Sequence, residues 1–379
     1  MTQPLNILHV FRAPVGGLFR HVLDLTHEQI ARGHRVGLIA DQSTGGQRAE
    51  QVLAELEPSL ALGLTRVPMR RHLSPNDALV LGHVMRRVAQ TQADVVHGHG
   101  AKGGAYARLV FANKRAVRAY TPHGGSLLFG HNTLAGKFYL STERILMLRG
   151  DLFLFESAYS GNIFRSKIGN PRGLVRIVHN GVSRKEFEPV ANRPDATDLV
   201  FLGELRPVKG IDVLIDAIAQ MHGHGRKITA TLVGGGPERN ALQSQVERHG
   251  LQAAVRFMPP MPAREAMTQG RVMVAPSRAE SLPYVVLEAA AAGKPLITTR
   301  VGGIPEIYGS LSNTLVPPLD VPALAASIDQ AVGRPEAMAE NTRKLREQVL
   351  ASFSVDTMVD GVLSAYQTAL ETLGKNGRR

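Results

Sequence analysis

The sequence predicts an α/β protein: two Rossmann-like, doubly wound domains facing a cleft, with the last helix returning to the first domain. Three observations carry this. At 379 residues the chain is too long for one ordinary core and suits two domains of roughly 150–200 residues each. Short apolar runs alternate with amphipathic stretches, the pattern of βα units in a parallel sheet. The alternation occurs twice, on either side of a polar stretch that contains Pro189 and Pro194.

The elements follow in order. Residues 5–10 are a short apolar run that predicts a strand. The Gly16-Gly17 loop comes next, and residues 18–31 have the spacing of an amphipathic helix stopped by Gly33. Residues 35–40 predict the second strand. Val95-Val96 after Asp94, then 117–120, 152–155 and 175–178, predict further strands, with a helix over 106–111. This first domain is bounded at 1–183, and the charged, proline-bearing stretch 184–197 reads as a linker. Strands are then predicted at 199–202, 228–233, 255–258, 272–275 and 295–298, giving a second domain over 198–352. Residues 353–379 form a final helix and polar tail.

Composition narrows the function. The chain is 44% hydrophobic with mean hydropathy −0.06, which describes a folded globular protein and argues against disorder. No run approaches the roughly 20 apolar residues that span a bilayer. The start lacks a basic segment followed by an apolar one, so no signal peptide is expected, and the cytoplasm is the expected compartment. With no cysteine there are no disulfides, thiolate metal sites or cysteine nucleophile. Aromatic residues are 5%, tryptophan is absent and no RNA-recognition motif is visible, so no nucleic-acid partner is expected. The net charge of +12 is lopsided: residues 1–190 carry +11 and the remainder +1.

Ligands of doubly wound sheets bind outside the carboxyl ends of the strands, and the richest such segment runs from Ser277 to Leu296. Glu280 falls just after a predicted strand and Glu288 inside the helix that follows. An Ala-rich helix packs close to its sheet and offers free amides to an anion. Two carboxylates beside an anion site suit a sugar nucleotide, although either could be a solvated surface group. Gly302-Gly303-Ile304-Pro305-Glu306 follows, Gly203-Glu204-Leu205-Arg206-Pro207-Val208-Lys209-Gly210 precedes, and Asn180-Gly181-Val182 ends the first domain.

With these motifs the chain resembles the retaining glycosyltransferases of family four, which have the GT-B fold, and in particular bacterial enzymes of cell-surface and exopolysaccharide synthesis. The resemblance implies transfer of a sugar from a nucleotide sugar, expected to be a UDP-sugar, to a glycan or polyprenyl-linked saccharide. The second domain would take the donor and the first the acceptor, with closure aligning them. Glu288 matches the glutamate that grips the nucleotide ribose, Glu280 the one that contacts donor sugar hydroxyls, and Lys209 the lysine at the diphosphate. The partner arginine normally follows the first glycine of that loop, where Glu204 stands here, so Arg206 is the expected replacement. Gly16 and Gly17 resemble the family's N-terminal phosphate loop. Pro283 departs from the usual glycine-bearing turn and removes one N–H donor. Ser281, Leu282 and Asn180 are expected near the donor or acceptor.

Three histidines complete the list of candidates. His97 and His99 end one strand on a shared face, and His123 follows another in Thr121-Pro122-His123-Gly124. Family position favours His99 at the donor sugar, with His123 a further candidate; a buried structural histidine is the alternative for each. No Asp-x-Asp motif is present, Asp212 and Asp216 have the spacing of a solvated helix face, and His97 with His99 lack a third ligand. Neither a metal nor any other cofactor is expected, the cations and helix N-termini taking the metal's place.

Basic residues gather at Arg70-Arg71, Arg86-Arg87, Lys114-Arg115 with Arg118, and from Lys137 to Arg149, the last mixed with apolar side chains and preceded by Leu127-Leu128-Phe129. That mixture suits an anionic membrane surface, hence a peripheral position on the inner face of the cytoplasmic membrane; a helix packed on its sheet is the alternative. Two other functions stay open: a sugar-nucleotide 2-epimerase on a similar fold, and a non-catalytic nucleotide-sugar or membrane-binding protein.

Overall fold

A computed structural model describes residues 3–111, 116–128, 130 and 132–376. Lys114, Arg115, Phe129 and the last residues of the polar tail, read above from sequence, lie outside the described residues. The chain divides into two compact units, Met1–His179 with Val355–Arg379, and Asn180–Ser354.

In the first unit the chain runs β1 (Asn6–Phe11), α1 (Gly16–Ala31), β2 (Arg35–Asp41), α2 (Gly46–Leu56), β3 (Leu64–Val67), α3 (Asn76–Thr91), β4 (Val95–His99), α4 (Gly100–Leu109), β5 (Val117–Thr121), α5 (Leu134–Met147), β6 (Leu152–Phe155), α6 (Ala158–Lys167) and β7 (Leu174–Ile177). The seven strands pair in parallel in the order β3-β2-β1-β4-β5-β6-β7. Helices cover both faces, so the central strands are buried on both sides, the histidines of β1 and β4 included. The edge strand β3, Leu-Thr-Arg-Val, is half-buried and only four residues long, which is why no apolar run announced it. Helix α4 lies nearer the amino end than the predicted 106–111. Its glycines hid it: a Cβ on Gly103 would meet the Val10 carbonyl oxygen at 2.1 Å, and one on Gly104 the Tyr120 ring at 2.1 Å. Glycine here is the condition for seating α4 on the sheet.

The second unit continues with β8 (Thr197–Leu202), α7 (Ile211–Gly223), β9 (Ala230–Val233), α8 (Arg239–Arg248), β10 (Val255–Met258), α9 (Ala263–Met267), β11 (Gly270–Ala275), α10 (Tyr284–Ala291), β12 (Leu296–Thr298), α11 (Ile304–Tyr308), α12 (Val321–Gly333) and α13 (Pro335–Ser352). Its five strands are parallel in the order β10-β9-β8-β11-β12. The polar stretch 184–197 is part of this unit. Arg264 donates to the carbonyls of Glu186 and Glu188, Arg346 to that of Phe187, and Lys294 to the Asn192 side chain. Phe187 and Val190 also pack against this unit's core, but the polar residues around them gave no sign of it. Phe353 joins this unit's core. The last helix, α14 (Val355–Asn376), returns to the first unit, where Val359, Val362 and Tyr366 pack with Ile7, Val95 and Leu152.

In each sheet the strand order reverses beside the first strand, between β1 and β4 and between β8 and β11. The carboxyl ends of such a strand pair are where open α/β sheets bind ligands.

Candidate active site

In the second unit the two loops at that switch point meet. After β8 the chain makes a 3₁₀ turn, Pro207–Lys209, and after β11 it passes through Ser277 to Glu280. Lys209 Nζ donates to Glu280 Oε1 at 2.6 Å, and Ser277 Oγ donates to the same oxygen at 2.7 Å. The Glu280 side chain is only 12% exposed and that of Lys209 24%. Such a pair is screened less than a surface one. The backbone positions it: the Arg278 amide donates to the Val208 carbonyl at 2.8 Å, and the Arg278 guanidinium pairs with Asp212 at 2.5 Å. Gly303 N–H donates to Ser281 O at 2.8 Å and Thr299 Oγ1 to Ser277 O at 2.5 Å. Gly302 has φ +59°, and a Cβ there would fall 1.7 Å from the Glu280 carbonyl oxygen.

The structure thus joins Lys209 and Glu280, which the sequence pattern presents in separate motifs, and adds Ser277, whose only sequence signal was its place straight after a strand. Arg206 and Glu204 pair with each other at 3.5 Å, both well exposed. Glu288 is half-buried on α10. Asn180 and Leu282 act differently from the expectation that they border a ligand. Asn180 Nδ2 donates to the Leu282 carbonyl at 2.9 Å, and the Leu282 side chain is 3% exposed within the core. Both brace the loop, and Ser281 contributes its carbonyl to Gly303. Asp212 and Asp216 are not merely solvated: Asp212 holds Arg278, and Asp216 accepts from Gln245 at 2.7 Å.

In the first unit, Gly16 (φ +62°) and Gly17 are exposed at the first turn of α1, a 16-residue helix with no side-chain N-cap. At the end of β4 lies a cluster of five histidines. His9 on β1 is the register partner of His97 on β4; His99 ends β4, His21 comes from α1 and His123 follows β5 at φ +50°. His9 Nδ1 and His99 Nε2 are 2.9 Å apart, His99 Nδ1 and His123 Nε2 3.1 Å, and His9 Nε2 is 2.8 Å from Gln29 Oε1. His97 spends its nitrogens on Tyr366 Oη at 2.6 Å and Thr121 Oγ1 at 2.8 Å. Burial disfavours the imidazolium in four of the five: it lowers the His9 pKa to about 4 and holds His97, His99 and His123 well below their ordinary range.

His97 and His99 are therefore the inward-packed histidines that the sequence left as the alternative. The third metal-ligand candidate that the sequence lacked is present in space: His9, His97 and His99, and likewise His21, His99 and His123, bring ring nitrogens within 4.8 Å of one another. In the first triad both His97 nitrogens are already taken by Tyr366 and Thr121. The sequence signal for His9 was a lone histidine in an otherwise apolar central strand.

Two all-parallel units with charged and glycine-bearing loops at their switch points define the nucleotide-binding class of doubly wound proteins. Residues 15–186 match the Glycosyltransferase Family 4 model and residues 196–334 the Glycosyl transferases group 1 model. The chain belongs to the family four glycosyltransferases, and its fold is GT-B. It is 24% identical to the glycogen synthase of Mycobacterium tuberculosis (strain ATCC 25618 / H37Rv) over 94% of this chain and 92% of that one. It is 24% identical to the GPI3 subunit of the phosphatidylinositol N-acetylglucosaminyltransferase of Saccharomyces cerevisiae (strain ATCC 204508 / S288c) over 89% of this chain and 77% of that one. Among solved structures, Anabaena HepE in complex with UDP and glucose aligns with TM-score 0.78 at 19% identity, covering 96% of this chain and 99% of that one. Sucrose-phosphate synthase from Thermosynechococcus elongatus aligns with TM-score 0.77 at 21% identity, covering 97% and 100%.

Proposed function

We propose that this glycosyltransferase acts with retention, moving a sugar from a UDP-sugar to a glycan or polyprenyl-linked saccharide in cell-surface polysaccharide synthesis. The observation that carries the donor assignment is the Lys209–Glu280–Ser277 cluster at the switch point of the second unit. Lys209, with Arg206 nearby in sequence, supplies positive charge for the diphosphate in place of a metal. The exposed Gly16-Gly17 turn offers amides to phosphate. Glu288 takes the ribose, and Glu280 the sugar hydroxyls. His99 has both ring nitrogens engaged in the cluster, so the hydroxyl contact expected of it passes to half-buried His123. In the transfer step the acceptor oxygen bonds the anomeric carbon on the face from which the diphosphate oxygen leaves, and the acceptor proton ends on the departing diphosphate. Lys209 lowers the cost of the charge that develops there.

A membrane-proximal acceptor is supported by α5. Leu134, Phe138, Ile145 and Leu148 are 86, 52, 67 and 56% exposed, and at about 100° per residue they share one face of the helix. Lys137 and Arg144 flank that face on one side and Arg149 on the other, all exposed. The opposite face carries buried Leu140 and Leu146, so the helix both packs on its own unit and presents an apolar stripe between cations, as an interfacial helix does. No described helix is long and apolar enough to cross a membrane.

Thermal-shift screening with UDP-, GDP- and ADP-sugars tests the donor assignment, because a ligand that binds only the folded state raises its stability by mass action. The expected result is a shift with one UDP-sugar that Lys209→Ala abolishes. No shift with any of them contradicts the reading.

A further inference from the structure

Gln29, His9, His99 and His123 stand in one line of hydrogen bonds, and that line has a direction. A neutral imidazole has one N–H and one lone pair, while a carboxamide oxygen only accepts. Gln29 Oε1 faces His9 Nε2 at 2.8 Å, so His9 carries its proton on Nε2 and its Nδ1 must accept. Across the 2.9 Å gap the donor is then His99 Nε2–H, which leaves His99 Nδ1 as acceptor. Across the 3.1 Å gap the donor is His123 Nε2–H, which leaves His123 Nδ1 with a lone pair. Among the described residues no carboxylate bonds to these three rings, so nothing charged opposes the direction set at Gln29. Gln29 Nε2 is buried with no hydrogen-bond partner among the described residues, and the Tyr366 hydroxyl is engaged with His97.

We propose that Gln29 and His9 are positioning residues which, through His99, hold His123 as the Nε2–H tautomer and so present its Nδ1 as a hydrogen-bond acceptor for a substrate hydroxyl. The chain orients a proton and does not conduct one. A proton passed inward from His123 through His99 to His9 would have to leave onto an amide oxygen, which does not hold it. His97 stands outside the chain, its nitrogens taken by Tyr366 and Thr121. His21 packs edge-on against His123, with ring centroids 4.8 Å apart, and restricts that ring's orientation. The hydroxyl contact rests on the glycosyltransferase reading above; the tautomers do not.

The test is a long-range ¹H–¹⁵N correlation spectrum of the histidine rings in the full chain at pH 7.5, without substrate, assigned with single His→Gln variants. His9, His99 and His123 are expected as neutral rings protonated on Nε2 alone. Gln29→Leu removes the acceptor that sets the direction, and His9 and His99 are then expected in both tautomers. Protonation of His99 on Nδ1 in the unsubstituted protein overturns the proposal. So does a cobalt(II) ion bound with d–d absorption that the His99→Gln variant loses. In a transfer assay with UDP-glucose or another active donor, Gln29→Leu is expected to lower kcat/KM about tenfold, the loss of one good hydrogen bond, with Gln29→Glu, which keeps an acceptor oxygen, restoring part of it. An unchanged kcat/KM in Gln29→Leu overturns the positioning role. If no donor is turned over while the tautomers are as expected, the functional reading fails and the chain's direction stands.

Discussion

Gly302→Ala is the sharpest perturbation the second unit offers. Gly302 is held at φ +59°, and a Cβ there would lie 1.7 Å from the Glu280 carbonyl oxygen, where real contacts essentially never fall below 3.0 Å. Two costs arise. The left-handed conformation costs an alanine about 1 kcal/mol. The contact is with backbone, so no rotamer change relieves it, and the Glu280 segment must move by more than an ångström. That displacement breaks the 2.6 Å Lys209 bond and the 2.7 Å Ser277 bond to Glu280, worth about 1 kcal/mol each. The expected total is about 3 kcal/mol. Gly225→Ala is the control: its φ is +78°, but nothing lies within 4 Å of its Cβ, so only the first cost applies, about 1 kcal/mol. Thermal unfolding of both variants by calorimetry gives the difference, and kcat/KM should fall at least tenfold in Gly302→Ala alone, about 1.4 kcal/mol of transition-state binding. Equal destabilisation of the two variants, or a fully active Gly302→Ala, would refute the reasoning.

Other outcomes follow from the first unit. Arg108 and Glu143 pair at 2.5 Å with side chains 0% and 4% exposed, and the guanidinium lies 3.8 Å from the centre of the Tyr120 ring. Glu143→Leu alone should therefore cost about 3–5 kcal/mol, and adding Arg108→Met should recover much of it; urea unfolding that shows no recovery counts against this. Stability should also depend on pH. As pH falls through 6.5 the unfolded histidines take up protons, while folded His9 stays neutral to about 4 and His97, His99 and His123 well below 6.5. The unfolded state then binds more protons, so stability is flat above pH 7 and is lost from 6.5 downwards, by up to about 1.4 kcal/mol per pH unit for each ring. A urea midpoint unchanged between pH 7.5 and 5 would contradict that sign. On α5, Phe138→Ser with Ile145→Ser should abolish flotation with vesicles containing anionic phosphatidylglycerol, and the unsubstituted protein should float less as salt rises; flotation unaffected by the substitutions rules this helix out.

The parts of the fold legible in the sequence were those buried on two faces. β1 and β11 are mostly apolar and β4 opens on Val95-Val96 because helices cover both sides of each sheet, whereas the half-buried β3 and the glycine-rich α4 carried no such signal. In the second unit, Lys209 and Glu280 could each be named from the motif around it. Their direct bond could not, because it depends on Gly302 and Arg278 bringing two distant loops together. The histidines show the same limit from the other side. Spacing put His97 and His99 on one face, but only the parallel register of β1 against β4 brings His9 beside them, and only the start of α1 supplies His21. Ring-nitrogen distances, not residue types, turned His99 from a candidate for direct contact into the middle of a chain that ends at His123.

Acceptor-dependent release of nucleotide, from the UDP-sugar that gives the largest thermal shift, tests the assigned transfer most directly. Release should require an added saccharide acceptor and should fall about 10²-fold or more in both Lys209→Ala and Glu280→Gln. Near-unsubstituted rates in both variants, or consumption of the donor with no acceptor present and no sugar transferred, would contradict it.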